Sequence, residues 1–263
     1  MSQDLLIRLS VFLGLFALIA VLERYAPHRP HVQPRRGRWF TNLAFAMIDT
    51  MALRAAALVV PILAVAAAVD AGRLGVGLFN HLHLPLWIEG LLAVLLLDLA
   101  IWAQHLVTHK VPLFWRFHRV HHADRDLDVT TALRFHPVEI VVSGGVKVLV
   151  VYLLGAPAAA VLVFEVLLNA TAMFTHANLR LPGWLDRPLR WVLVTPDMHR
   201  IHHSVRRQEH DSNYGFALSL WDRIFHTYVK EPQDGQAGMT VGLEWQDERP
   251  ARLGWALLLP FRR

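Results

Sequence analysis

Ten histidines in the middle of this 263-residue chain have the spacing of metal ligands. Spacings of three and four residues place each multi-histidine group on one side of a helix. Imidazole nitrogen is a common ligand of transition metals, so the pattern predicts a polynuclear metal site. The five groups are His105 with His109; His118 with His121 and His122; His136; His176; and His199 with His202 and His203.

The chain has no cysteine, which excludes every function that needs a thiol. Disulfides, thiolate metal sites, cysteine-ligated iron–sulfur clusters and cysteine nucleophiles are excluded, and any metal must be held by imidazole and oxygen. The triplets that begin at His118 and His199, with the pair that begins at His105, supply eight imidazoles. A catalytic zinc uses three protein ligands and a water, so eight histidines indicate two metal ions.

Two of the ten histidines, His136 and His176, stand alone in the sequence. His176 ends an apolar segment, and Asn169 and Glu165 precede it by seven and eleven residues, a polar stripe expected to face the protein interior. We expect His176 to be a ligand, the alternative being a hydrogen-bonded core histidine. His136 precedes Pro137 at a predicted helix start, where it could bind metal or orient another ligand. For the six other histidines we expect surface or packing roles: His28, His31, His81, His83, His210 and His226.

The elements that carry these residues are predicted to be membrane helices. Hydrophobic residues make up 54% of the chain and the mean hydropathy is +0.35, which is apolar for a soluble protein. The first apolar segment reads as a retained helix, since no small-residue cleavage site follows it. Gly155 and Pro157 predict a tight hairpin between the last two predicted spans. The predicted spans are residues 5–22, 43–69, 86–104, 138–154 and 158–174.

Charge placement predicts the orientation of this bundle. The segment 23–39 carries five arginines, whereas the segment 70–85 carries only Arg73, so the first should be cytoplasmic. Counting spans from there puts every histidine group on the cytoplasmic face. No basic stretch alternates with aromatic residues, so we attribute the net charge of +5 to membrane topology and expect no nucleic-acid partner. The predicted fold is an all-α, polytopic membrane helix bundle of about four to six spans with a cytoplasmic helical cap that carries the histidines.

Asp98 lies seven residues before His105 on the same predicted helix face. An acid at membrane depth is costly and usually paired. Asp98 could therefore accept a hydrogen bond from the outer ring nitrogen of a metal-binding histidine, or pair with Arg54 or another polar group between helices.

The order of the histidine groups resembles the fatty acid hydroxylase superfamily, also called the sterol desaturase family. The supporting motifs are TTALRFHP at 130–137, TPDMH at 195–199, NYG at 213–215 and WDRIF at 221–225. The similarity covers residues 92–231. We divide the chain into N-terminal transmembrane helices with a basic loop (1–85), a hydroxylase-like catalytic domain (86–231) and a C-terminal tail (232–263).

The resemblance implies an integral-membrane, non-haem di-iron enzyme. Such an enzyme uses O₂ and an external electron donor to hydroxylate or desaturate a lipid: sterol-like, fatty acyl, carotenoid or ether lipid. The eight grouped histidines and His176 would bind two Fe²⁺ ions. His136 is a further candidate, because this chain has Ala172 where some members have a histidine. Residues expected behind the ligands or along a substrate channel are Asp98, Glu165, Asn169, Asp197, Asn213 and Asp222.

Two other functions are compatible with a histidine-rich membrane protein. A zinc-dependent membrane hydrolase is disfavoured, because the chain has no His-Glu-x-x-His motif and no general base placed beside the histidines. A metal-binding or transport protein should hold its ligands near the middle of the bilayer, whereas these histidines are predicted at its surface.

Overall fold

The computed structural model describes residues 3–60, 63–82 and 84–262, and these residues form helices and loops without any strand. Two isolated bridges, Leu193 with Leu218 and Ser204 with Val241, are its only β-type pairings. The predicted all-α class is confirmed. The α-helices are α1 (Gln3–Tyr25), α2 (Arg35–Ala56), α3 (Ala64–Leu74), α4 (Leu86–Lys110), α5 (Pro112–His122), α6 (Pro137–Leu154), α7 (Ala158–His176), α8 (Gly183–Leu189), α9 (Pro196–His202), α10 (Arg207–His210), α11 (Leu220–Ile224), α12 (Gly235–Gly238) and α13 (Leu253–Leu258). Short 3-10 helices occupy Leu78–His81, Thr131–Leu133, Arg249–Ala251 and Leu259–Phe261.

Four helices are long and apolar enough to cross a membrane: α4, α6, α7 and the Leu6–Tyr25 part of α1. They contain 18 to 25 residues, close to the roughly 20 that a bilayer core requires. Gly155 takes the left-handed conformation after α6, and Pro157 immediately precedes α7, as the predicted hairpin requires. The membrane helix bundle is therefore confirmed.

The predicted span 43–69 is wrong as a single helix. Helix α2 ends at Ala56 and α3 begins at Ala64, and part of the intervening segment, residues 61 and 62, lies outside the described residues. Helix α2 carries Asp49 and Arg54, so it is more polar than the four long apolar helices. The α2 N-terminus contacts the histidine end of the bundle, whereas Asp70 of α3 accepts a hydrogen bond from Tyr152 at the C-terminus of α6. The pair α2–α3 thus runs the length of α6 as two helices.

The end of the bundle away from the histidines, here called the far end, is held by apolar packing. Helices α3, α4, α6 and α7 share one core, which includes Leu97, Val151 and Phe164. The loop after α3 approaches the α6–α7 hairpin closely: a Cβ on Gly77 would lie 2.2 Å from the backbone nitrogen of Gly155. Glycine is therefore required at this contact.

At the opposite end, here called the metal end, helices α5 and α8–α13 and their loops form a cap. Arg38, in the first turn of α2, is fully buried and pairs with Asp124 and Asp128. Arg134 is also fully buried and donates hydrogen bonds to Asn42 and to the backbone carbonyl of Val120. These contacts fix the start of α2 against the loop that follows α5.

Candidate metal centre

Nine of the ten predicted histidines converge at the metal end in two adjoining groups. Within each group the candidate ligand atoms all lie within 4.8 Å of one another, and every one of the nine residues is buried. The rings of His122 and His203, one from each group, stack with centroids 4.5 Å apart. The five-histidine group is His105, His109, His118, His122 and His202; the four-histidine group is His121, His176, His199 and His203.

Each histidine triplet is divided between the two groups. Helix α5 begins at Pro112, a residue suited to a first helical turn. Its residues His118 and His122 belong to one group and His121 belongs to the other. Helix α9 is capped by the Thr195 hydroxyl, which accepts a hydrogen bond from the Met198 backbone N–H. Its triplet is divided in the same pattern, with His199 and His203 in one group and His202 in the other. Residues three and four apart share a helix face but point in different directions around it, so one helix serves both groups.

The outer ring nitrogens fix the tautomers of several histidines. A backbone carbonyl can only accept, so an Nδ1 atom within hydrogen-bond distance of one must carry the proton. Nδ1 of His105 lies 2.7 Å from the Tyr214 carbonyl, and Nδ1 of His202 lies 2.6 Å from that of Ser212. Nδ1 of His121 lies 3.1 Å from the Arg134 carbonyl. Nδ1 of His176 lies 2.7 Å from the Ala172 carbonyl. In all four rings the lone pair is therefore on Nε2.

These lone pairs face one another, and a cation between them would remove the repulsion. In the four-histidine group, Nε2 of His176 lies 3.0 Å from Nε2 of His121 and 3.1 Å from Nε2 of His199. In the five-histidine group, Nε2 of His105 lies 3.1 Å from Nε2 of His118. Two nitrogens bound at right angles to a metal about 2.1 Å away are about 3.0 Å apart. The donor set therefore fits a bound metal ion in each group.

Five of the clustered histidines outside the long apolar helices are held neutral. Burial, and after it the neighbouring imidazoles, lowers the pKa of these side chains well below the usual histidine value; they are His121, His122, His199, His202 and His203. Metals bind neutral imidazole, so the site is ready to coordinate at physiological pH.

His136 lies outside both groups. Its Nδ1 accepts a hydrogen bond from the Val138 backbone N–H at the start of α6, and its Nε2 donates to the Leu257 carbonyl, 3.3 Å away. Both nitrogens are thus engaged in holding the helix start and the C-terminal segment. Five of the other histidines also lie outside the groups, and the sixth, His83, lies outside the described residues.

The acids and amide predicted near the membrane helices have other partners. Asp98 does not contact His105: it accepts from the Trp221 indole N–H and from the Leu218 backbone N–H. Glu165 is buried between Arg8, 2.6 Å away, and Lys147, 2.9 Å away. Asn169 is exposed, and its amide donates to the Glu165 carbonyl of its own helix, so the predicted inward stripe does not include it.

The three residues predicted from the later motifs support the segments that carry the clustered histidines. Asp197 pairs with the buried Arg200 on α9. Asn213, which has a positive φ, donates to the carbonyls of Met198 and Val229. Asp222 accepts from the backbone N–H groups of Tyr214 and Gly215, and thereby sets the carbonyl that His105 contacts.

Two residues beside the histidine groups were not predicted from the sequence. Glu139 lies 2.6 Å from Nδ1 of His118, and its only signal was an acid two residues beyond Pro137 in a predicted first helical turn. The ring of Phe216 lies 4.8 Å from that of His105 and 6.2 Å from that of His199, between the two groups. Phe216 follows the NYG motif directly, but nothing in the sequence connects it with the histidines.

Comparison with known proteins agrees with this geometry. The sequence profile of the fatty acid hydroxylase family matches residues 90–227, more than half of the chain. The chain belongs to the fatty acid hydroxylase family. It is 28% identical over 236 residues to an ornithine lipid hydroxylase of Rhizobium tropici, covering 88% of this chain and 70% of that protein. No solved structure matches it significantly.

Alkylglycerol monooxygenases are similar over a shorter region. The identity is 31% over 150 residues for the protein of Xenopus tropicalis, covering 54% of this chain and 31% of that protein. It is 29% over 161 residues for the human protein, covering 59% of this chain and 33% of that protein. The chain thus spans about a third of the length of these two relatives. The family and its relatives confirm the predicted class, a membrane-bound oxygenase of the non-haem iron type that acts on lipids.

Proposed function

We propose that the two histidine groups hold one Fe²⁺ ion each and that the protein uses O₂ to hydroxylate a C–H bond of a membrane lipid. The observation that supports this most directly is the convergence of inward-facing imidazole lone pairs in two adjoining groups at one end of an apolar helix bundle. A metal transporter should hold its ligands near the bilayer midplane, whereas both groups lie at one end of the bundle.

The bound irons would supply the activation of O₂ for attack on an unactivated C–H bond. The chain supplies nine imidazoles, which suit Fe²⁺ and would bind it without any carboxylate in the ligand shell. The backbone carbonyls behind His105, His121, His176 and His202 keep each ring in one orientation, so the site is organised before substrate arrives.

Phe216 is the best candidate to contact the reacting part of the substrate. Its ring lies between the two histidine groups and also packs against two apolar cores of the bundle, one containing Leu97 and one containing Met173. A lipid chain that enters from the bilayer would thus pass Phe216 before it reaches the metals. Confinement of the chain there would select the oxidised carbon by position.

The proposed substrate class is a polar-headed membrane lipid with a long alkyl chain. The names of the relatives include an ornithine lipid and alkylglycerol, and both names specify oxygen insertion. For this reason we propose hydroxylation rather than desaturation. The other predicted skeletons, sterol-like and carotenoid lipids, become alternatives for the lipid analysis below.

We further propose that the metal end is cytoplasmic and receives electrons from an external donor. The arginine-rich segment 23–39, which includes the first turn of α2, lies at this end: the backbone N–H of His28 donates to the Asn178 carbonyl, and Arg38 pairs with Asp124. Basic loops face the cytoplasm in membrane proteins, which gives the bundle its orientation. A soluble reductant could then reach the cap directly.

The test combines metal analysis, O₂ uptake and lipid profiling of the full-length protein. We expect two irons per chain, O₂ consumption that depends on lipid and reductant, and cellular lipids that gain one oxygen atom when the protein is expressed. His202→Ala and His121→Ala, one from each group, should abolish turnover and lower the iron content. His81→Ala, on an exposed 3-10 helix, is the matched control and should behave as wild type.

Three results would overturn the proposal: activity without O₂, zinc rather than iron in the active protein, or full turnover by either ligand variant. Products that lose two hydrogens would replace hydroxylation by desaturation. Protease or labelling access to the cap from the non-cytoplasmic side would reverse the orientation.

A further inference from the structure

His118 differs from the other ligand candidates in its outer contact. Its Nδ1 lies 2.6 Å from Oε1 of Glu139, and the side chains are only 1% and 10% exposed. In the part of the chain that the structure describes, no lysine or arginine lies within 4.0 Å of Glu139, and its Oε2 is buried without a hydrogen-bond partner. Among the described residues, His118 is therefore the side chain with which this carboxylate interacts.

A second buried acid, Asp49 of α2, lies near Glu139, and its Oδ1 also has no hydrogen-bond partner. Over the described residues it too has no basic side chain within 4.0 Å. Burial and then the charge of Glu139 raise the pKa of Asp49 to about 8, so it is protonated at neutral pH and the negative charge stays on Glu139. A buried carboxylate without a cation, such as Glu139, is strongly unfavourable. A metal ion bound to Nε2 of His118 would supply the missing positive charge.

Asp211 is the other acid close to the five-histidine group, but its charge is shared. It lies 3.5 Å from Nδ1 of His109, beyond a normal hydrogen bond, while Lys110 is 2.9 Å away and Arg207 is 3.5 Å away. Two cations thus already neutralise Asp211. It makes a natural comparison for Glu139, since both are acids beside a ligand histidine.

The four-histidine group has no such acid. Within the described ranges, no carboxylate oxygen lies within 4.0 Å of a ring nitrogen of His121, His176, His199 or His203. His121 and His176 donate to neutral backbone carbonyls instead. The two groups therefore differ both in the number of imidazoles and in the charge behind them.

A carboxylate behind a ligating imidazole fixes the ring and raises the basicity of its metal-binding nitrogen. We propose that Glu139 is the positioning residue of His118 and that the two metal sites are unequal, with the five-histidine group binding its ion more tightly. This inference rests on the proposed function only in requiring that both groups bind metal.

The test is iron retention by the full-length protein against a graded series of chelators. Wild type should lose its two ions in two separate steps. Glu139→Gln keeps the shape and one acceptor oxygen but removes the charge, so the tighter step should weaken by about 10–100-fold while the weaker step stays in place. Mössbauer spectra of the iron-57 protein should show two unequal iron environments, of which Glu139→Gln changes one. Asp211→Asn is the matched control and should shift the tighter step by much less.

Thermal unfolding of the metal-free variants separates positioning from structural damage. We expect metal-free Glu139→Gln to unfold at or above the wild-type temperature, because the substitution removes a buried charge that no cation neutralises without the metal. Equal weakening of both steps, no weakening at all, or a metal-free protein that is already destabilised would each overturn the inference. Wild-type protein that holds no iron would instead refute the proposed function.

Discussion

The two ends of this bundle are stabilised by opposite means. At the metal end, charged groups are buried and paired, as Arg38 is with Asp124 and Asp128. At the far end, small and apolar residues pack directly, and Gly77 lies so near Gly155 that a Cβ on Gly77 would be 2.2 Å from the Gly155 nitrogen. Lipid offers no partners for polar groups, so helices within it satisfy their backbones internally and pack by shape. Asp124 and Asp128 can be buried at the metal end because Arg38 pairs with both of them.

This difference explains why the nine clustered histidines lie at one end of the bundle. Nine imidazoles can be held in place only where their outer nitrogens find partners, and the cap loops supply them, as the Tyr214 and Ser212 carbonyls do. The far end has few comparable polar contacts, one being that of Tyr152 with Asp70. The four predictions below test this contrast.

Removal of the buried cation at the metal end should have the largest effect. Arg38→Ala leaves Asp124 and Asp128 buried without their main partner, and we expect a loss of about 3–5 kcal/mol in the free energy of unfolding. Arg36→Ala, which removes an exposed arginine from the same turn of α2, should change it by less than about 0.5 kcal/mol. Denaturant unfolding in detergent measures both. Equal stability of the two variants would show that the cap does not depend on its buried ion pairs.

Crowding of the glycine contact should have the next largest effect and belongs to the far end. Gly77→Ala places a Cβ 2.2 Å from the Gly155 nitrogen at a φ of +96°, and we expect a loss of about 2–3 kcal/mol. Gly72→Ala is the control: a Cβ there meets nothing within 4 Å, and alanine should stabilise α3 by about 0.5–1 kcal/mol. The contact would be unimportant if both variants unfolded alike.

A pair of substitutions on α6 separates packing from lipid exposure. Val151 is fully buried in the shared core, whereas Leu153, two residues on, is exposed on the bundle surface. Val151→Ala should lower stability by about 1–2 kcal/mol through the space it leaves, and Leu153→Ala by less than about 0.5 kcal/mol. Unfolding in lipid nanodiscs is the appropriate measurement. A larger loss for Leu153→Ala would mean that the far end is held from outside the bundle.

The smallest effect is expected at His136. Its ring caps α6 and bonds to Leu257, so His136→Ala should cost about 1 kcal/mol of stability and leave the iron content at the wild-type value. Iron analysis after purification provides the decisive measurement. Loss of one iron would return His136 to the ligand set and extend the metal site to the start of α6.

Much of the candidate site could be predicted because helical periodicity is local. Spacings of three and four fix which side of a helix a histidine occupies, whatever the helix later packs against. The same holds for the spanning helices, whose length and apolarity are readable directly, and for the turn at Gly155. The span 43–69 failed because hydropathy averages over a segment and does not detect a break between two helices.

The remaining decisions depended on how distant segments pack. Whether His121 joins His118 or His176 depends on α7 meeting α5, which are far apart in the chain. Asp98 accepts a hydrogen bond from Trp221 and none from His105, which likewise depends on how two distant segments pack.

The sequence by itself therefore determined the ligand type, the absence of thiolates and the membrane setting, since these follow from residue chemistry and local period. Only the tertiary structure decided how nine histidines divide into five and four, and which acid lies behind one of them. Those outcomes are set by distances between helices, which no single segment of the chain contains.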